Sequence, residues 1–459
     1  MLEDRIRDLL VGARADARRQ GLDAEFLFHR ERSGLVRLGN SAVSLATSEE
    51  LSRLDVSVQD GRKIGQFGLN ADIRSAGQLS DALSRALESC REALPKDYNP
   101  LFGAVEEGVD DSTGFDPALE NLSPETKIDF CAGIIRAIGS RGDYDFSGSW
   151  STGSTEVYYI STANDREAYR RLTDGKLVLV LKSRKARWEL EVERSQKKAL
   201  DISPAGMIEE LQRFIPLYEG NGGYRAPVGR QRVLFGPHAA AELVFLSRWG
   251  GFLGRAWEEG RAFTAGMKPG DTLFSDLVTI ADDPANPDVF SMPFDFNGRR
   301  RRRFLMVEKG VFRGLLYDST TAARYGKKPT GHDLASLDLE LATGDGKPGL
   351  EEAADFAGEA LYIPHLHYVG MPDPAKGVFT GSSRFNALRV AGGRFVAPLV
   401  STRITDTLPS VLSHVTAISR VSVSQNQSST YDRRSPEAYS VPEWLLCDEV
   451  RISDVAESF

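Results

Sequence analysis

Arg232-Val-Leu-Phe-Gly-Pro-His-Ala-Ala-Ala-Glu-Leu-Val-Phe-Leu-Ser-Arg-Trp249 decides how this chain is read. A short apolar strand passes through Gly236-Pro237 into a long, almost wholly apolar segment, which predicts a helix packed as core. Beyond it the sequence changes character. An Asp282-Asp283-Pro284 turn, the run Asp295-Phe-Asn-Gly-Arg-Arg-Arg-Arg-Arg303, a hairpin-like Val307-Glu-Lys-Gly-Val-Phe-Arg-Gly-Leu315 and Thr330-Gly331 follow in order. Short strands separated by Gly, Asp and Pro dominate the rest, among them Ala360–Val369, Asn386–Val390 and Arg394–Val400. They predict a β-rich, barrel- or sandwich-like half with one prominent helix.

Upstream, Leu2, Ile6, Leu9, Leu10 and Ala13 recur at helical spacing, so an amphipathic helix is expected before Gly21. Alternating strands follow at Glu25–Glu31, Gly34–Leu38 and Arg53–Gly68, the last with Asp60-Gly61 as a hairpin signal. A second helix over Leu79–Ala93 places Cys90 on its apolar face, where it reads as a small core residue. Residues 97–121 are rich in Pro, Gly and Asp and read as a long connection. Ser123-Pro124-Glu125 opens a third helix, with a capping hydroxyl, a first-turn Pro and an acid at the positive end of the dipole. Strands return at Glu156–Ser161, Leu177–Leu181 and Arg187–Glu193, and a helix starts near Ser203-Pro204. The fold class is therefore α+β. An N-terminal α+β domain with mainly antiparallel sheets is expected over 1–222 and a β-rich C-terminal domain over 223–459.

Composition excludes several classes of function. The chain has 459 residues, ordinary apolar and charged fractions and a formal net charge of -8, so neither global disorder nor general nucleic-acid binding is expected. No apolar window approaches the roughly 18 residues of a membrane span. The acidic start Met1-Leu-Glu-Asp lacks the basic region of a signal peptide, which leaves the cytoplasm as the expected compartment. Three scattered cysteines, Cys90, Cys131 and Cys447, without a CxxC, argue against a disulfide framework or thiolate zinc site. The five arginines Arg299–Arg303 are a local exception to the acidic balance. They read as a strand with alternate residues in solvent and acids nearby, with a phosphate or acidic partner as the other reading.

The six histidines form no complete helical zinc motif. His238 and Glu242 are four apart on one helix face, where a capping or surface role is expected. His365 and His367 share one face of a strand, so with a distant carboxylate such as Glu242 or Asp373 they are candidate metal ligands. No GxSxG elbow, P-loop or GxGxxG is present, and Gly392-Gly393 reads as a turn.

Taken in order, Asp60-Gly-Arg with Gly65, Val233-Leu-Phe-Gly-Pro237, Val278-Thr-Ile-Ala-Asp-Asp283 and Phe294-Asp-Phe-Asn-Gly298 resemble the TldD/PmbA family of "modulator of gyrase" proteins. So do Val307-Glu-Lys-Gly-Val311, Asp318 with Thr321-Ala322, Pro329-Thr-Gly331, Gly377-Val-Phe-Thr380, Arg389-Val-Ala-Gly-Gly-Arg394 and Pro398. In the catalytic TldD branch the resemblance implies a His-Glu-x-x-x-His helix, whose histidines bind zinc while the Glu polarises water. Those positions fall here on Phe245, Leu246 and Gly250, none of which can ligate a metal or polarise water. The late Cys ligand is also missing from Val421–Asn426, and no His-Glu-x-x-x-His occurs anywhere. The resemblance thus points to the PmbA/TldE branch. It implies a non-catalytic subunit without a cofactor of its own, with zinc in a TldD-like partner and peptides or unfolded polypeptides as substrates. A homodimer in the partner's absence is a further expectation. Two competing readings are a self-sufficient hydrolase with its metal at His365 and His367, and a gyrase- or nucleic-acid-associated regulator acting through Arg299–Arg303.

Overall fold

Gly61-Arg62 closes a two-residue hairpin between β2 (Ala42–Asp60) and β3 (Lys63–Asn70), with Gly61 at φ 54°. A second tight turn, unmarked by glycine, joins β1 (Asp23–Gly39) to β2: Asn40 and Ser41 both take positive φ. The two expected N-terminal strands are therefore one continuous β1. In the computed structural model, residues 3–139, 143–334, 337–429 and 433–457 are described. The first sheet has seven strands in the order β3-β2-β1-β5-β6-β4, with β7 also paired to β6. Here β4 is Val109–Gly114, β5 Tyr144–Ser161, β6 Ala168–Ser183 and β7 Glu189–Gln196. Every pairing is antiparallel except β4 with β6. β4 lies inside the segment read as a long connection. Its Val-Asp-Asp-Ser-Thr-Gly sequence has little strand propensity, and pairing to β6 supplies what propensity does not.

Strand alternation divides the work of this sheet. Phe26 and Phe28 of β1, Leu54, Val56 and Val58 of β2, and Tyr158 and Ile160 of β5 point to one face. They pack there on α1 (Asp4–Arg19) and α2 (Ala76–Glu92) through Ile6, Leu10, Leu79, Leu83 and Cys90. Gly65 permits this approach: a Cβ there would collide with the α2 backbone at Ala86 and Cys90. The opposite face presents Glu25, Leu27, Arg53, Asp55, Ser57 and Gln59 to the second half of the chain.

That half contains a six-stranded and a nine-stranded sheet and, among the described residues, no closed barrel. In the larger sheet Gly229–Phe235 is central, parallel to Ala360–Ile363 and antiparallel to Leu445–Val455. The predicted helix is present as Pro237–Ser247, and Ala239, Ala240, Ala241, Leu243, Val244 and Leu246 are buried in the core. It ends in a π-helical turn, Arg248–Phe252. Glycine makes this turn possible, since a Cβ on Gly250 or Gly251 would overlap Met371 or the Phe263 ring. The remaining α-helices of this half among the described residues are short: Gly254–Glu258, Ser319–Tyr325, Leu350–Ala357 and Leu408–Ser413 add to the single prominent helix expected.

Candidate functional site

The polar face of the first sheet and the loops of the second half enclose a cleft of about 900 Å³. One wall is β1, β2 and β3. The other is built from Asn297, Asp318–Thr320, His332–Leu334, Arg433, Arg248 and Leu253. The separate sequence motifs meet here. Asp295 holds the turn before the arginine run, its Oδ1 accepting from the backbone N–H of Asn297 (3.0 Å) and Arg299 (2.9 Å). Asp318 caps the helix Ser319–Tyr325 by accepting from Thr321 N (2.7 Å) and Thr321 Oγ1 (2.7 Å). Asp333 accepts from Ser319 N (2.7 Å) and Oγ (2.6 Å).

Beneath the cleft lies a buried ionic network. The Arg301 guanidinium donates to both oxygens of Asp282 (2.7 and 2.5 Å), and to Asp338 Oδ2 and the Met292 carbonyl at 2.7 Å each. His332 Nε2 stands 3.0 Å from Asp282 Oδ2 while its Nδ1 is 2.7 Å from Thr330 Oγ1. Burial works against charge on Asp282, but Arg301 and His332 overcome it and hold the carboxyl down at about 2. Burial, together with the charge of Asp282, raises Asp338. The sequence singled out neither Arg301 nor His332. Nothing distinguishes Arg301 from its four neighbours until the fold buries it.

The expectation of an arginine strand is corrected at this point: the strand starts only at Phe304. The other four arginines face acids, Arg299 with Glu106 (3.5 Å), Arg300 and Arg302 with Glu107 (3.8 and 2.7 Å), and Arg303 with Asp283 (3.1 Å). A run whose charges are each matched by a carboxylate offers little to phosphate.

Three carboxyls in and beside the cleft are raised above their ordinary values. Burial pushes Glu25 up to about 7 although Gly103 N donates to it at 2.6 Å, and the charges of Asp333 and Asp295 add to the effect. Burial and Asp333 raise Asp295 to about 6, and burial raises Asp333. Glu25 and Asp295 can therefore donate as well as accept hydrogen bonds near neutral pH, which suits a polar ligand better than a purely apolar one.

The positions that the resemblance assigns to zinc chemistry do not fit it. Phe245 packs partly buried against the core, Leu246 is 4% exposed and Gly250 lies in the π turn. None supplies a lone pair. The strand Ser422–Asn426 has no cysteine, and Cys447 is buried in the larger sheet, where burial raises its thiol far above the ordinary range.

His365 and His367 do lie on one strand, His365–Asp373, and the fold adds His238 to them. The His238 ring is 5.0 Å from that of His365 and 6.3 Å from that of His367. His238 is thus neither a surface residue nor a cap: its Nδ1 is buried without a hydrogen bond, and burial lowers its pKa to about 4. The carboxylate beside His365 is Glu191 at 3.4 Å, itself raised by burial and by Glu193 to about 8. Asp373 is instead paired with Lys376 at the far end of the strand. Among the described residues no group of three or more His, Cys, Asp or Glu is arranged to hold a metal ion.

Comparison with known proteins adds independent information. Residues 228–454 match the family model described as the PmbA/TldA metallopeptidase C-terminal domain. A metalloprotease of Methanothermobacter thermautotrophicus is 26% identical over 161 residues, covering 33% of this chain and 34% of that protein. An uncharacterised protein of Methanocaldococcus jannaschii is 27% identical over 127 residues, 27% and 30% of the two chains. The match thus spans about a third of the length of these curated relatives. Three crystal structures share the fold over nearly the whole chain. A protein of Thermotoga maritima described as a modulator of a DNA gyrase has a TM-score of 0.82 at 16% identity, covering 98% of this chain and 100% of that one. TldE of Thermococcus kodakarensis has 0.80 at 16%, covering 94% and 97%. A protein of Bacteroides thetaiotaomicron described as a modulator of DNA gyrase has 0.82 at 17%, covering 99% and 100%. No helix among the described residues is long and apolar enough to cross a membrane.

Proposed function

Because this chain belongs to the TldD/PmbA family, we propose that it is a PmbA/TldE-like, non-catalytic subunit of a heteromeric metalloprotease. The observation that supports the reading is the helix Pro237–Ser247 with its following turn: Phe245, Leu246 and Gly250, where the resemblance would put zinc chemistry, offer no ligand, and Arg248 of the same turn lines the cleft. The chain contributes a polar, polypeptide-sized cleft; a TldD-like partner contributes zinc and the water it activates. A volume of about 900 Å³ accommodates several residues of an extended peptide. Co-expression with a TldD-type subunit tests the association. Stable co-purification at fixed stoichiometry supports the reading, and two chains that elute separately under all conditions refute it.

A second reading, a hydrolase with its own relocated metal, draws on the proximity of His238, His365 and His367 beside Glu191, although these side chains are not arranged here to hold an ion. All three imidazoles are held toward their neutral, ligating form, chiefly by burial. Stoichiometric metal in the purified chain, together with metal-dependent peptide cleavage by this chain alone, both lost on replacing His365 and His367, would establish it.

A further inference from the structure

Among the cleft's basic side chains, Arg248 stands apart. Arg53 is bound to Asp55 (3.0 Å), Arg433 approaches the same carboxylate (3.4 Å), and His332 is engaged by Asp282 and Thr330. The Arg248 side chain makes no hydrogen bond or ion pair with any described residue, and its Nε is buried without a partner. A guanidinium presents five donors in a fixed fork and cannot shed its charge; Arg248 is half-buried, with its Nε covered and no acceptor among the described residues for its other donors. Its position is fixed from below. The Arg248 Cζ lies 5.5 Å from the centre of the Phe245 ring, so the aromatic that replaces a zinc-motif residue supports a cation. The carboxyl whose titration it affects, Glu437, is already occupied by Tyr439 Oη (2.6 Å) and Leu337 N (3.4 Å), and burial draws it toward its neutral form. The π turn Arg248–Phe252 changes the helical path at this residue, and Arg248 lines the cleft with Leu253.

We propose that Arg248 is the carboxylate anchor of the cleft, a binding residue that receives a carboxylate of a bound peptide at the end of the helix where the family's active branch uses zinc. That the ligand is a peptide rests on the function proposed above; that it presents a carboxylate rests on the unpartnered guanidinium. A fork-to-fork pair in a partly water-excluded cleft gives two parallel charge-assisted bonds, which a neutral amide cannot match. The carboxylate has two sources in a peptide, the C-terminus and an acidic side chain.

Titration calorimetry of the full chain with three probes separates them: trialanine, trialanine amide, and the amide of Ala-Glu-Ala. The free acid is expected to bind about tenfold or more tightly than its amide. Arg248→Met should abolish that difference, and Arg248→Lys should keep part of it. Recovery of affinity by the Glu-containing amide extends the anchor to acidic side chains, and its failure assigns the anchor to the C-terminus. Equal binding of acid and amide, an undiminished preference in Arg248→Met, or no binding of any probe overturns the proposal. Co-purification with a TldD-type subunit is read independently, so either conclusion can fail while the other stands.

Discussion

Replacing Arg301 with Met removes the one cation shared by Asp282 and Asp338, both buried. Arg301, with His332, holds the Asp282 carboxyl below its ordinary value against the opposing effect of burial. Removing the arginine also leaves two carboxyls uncompensated, and breaking a buried pair of this kind costs about 3–5 kcal/mol. Arg302→Ala in the same run should cost no more than about 0.5 kcal/mol, since its side chain is 69% exposed and its partner Glu107 53%. Urea denaturation of both variants beside the parent measures the contrast. The Asp282 contribution is fully present above its unfolded pKa of about 4 and is lost as pH falls toward 2. The gap between parent and Arg301→Met should therefore narrow over that window. A loss below about 1 kcal/mol for Arg301→Met, or equal losses for the two variants, would refute the view that one arginine of the five organises the floor of the cleft.

Other outcomes follow from the same structure. Glu25 and Glu242 (about 7) and Glu191 (about 8) keep protons that the unfolded chain has released, so their contribution falls as pH rises from about 5 to 8. His238, His365 and His367 are held below 6.5 and oppose folding as pH drops beneath that value. Stability should accordingly peak near about pH 6, and a monotonic rise to pH 8 in denaturation experiments would contradict these assignments. Gly65→Ala should destabilise by about 1–3 kcal/mol because its Cβ meets helix backbone, while a thermal midpoint equal to the parent's would show that α2 can shift. Elemental analysis of the purified chain should find no stoichiometric zinc; finding it would favour the histidine cluster.

The local grammar of the chain was readable. Asp60-Gly61, Ser123-Pro124, Gly236-Pro237 and Gly392-Gly393 mark turns and helix starts through backbone chemistry that acts over a few residues, and the structure has them there. Asp282, Asp295, Asp318 and Thr330 were noticed as family motifs, but their meeting at one cleft is long-range pairing that no local pattern encodes. The π turn at Arg248 was hidden too. Gly250 and Gly251 permit it only because Met371 and Phe263 arrive from elsewhere. An imidazole after Gly-Pro carries no mark of burial in the sequence, which points to a surface or capping role for His238; the neighbouring strand His365–Asp373 instead packs against its ring. β4 escaped because its partner, not its composition, makes it a strand.

The central claim, a subunit that holds substrate while zinc resides in a partner, is tested most directly by peptide cleavage with three preparations: this chain, a TldD-type chain containing His-Glu-x-x-x-His, and the two combined, each with zinc supplied. Cleavage is expected from the combination alone, abolished by a chelator and by loss of the partner's motif. Cleavage by this chain in isolation, or full activity of the TldD-type chain without it, would rule out a substrate-holding subunit of this kind.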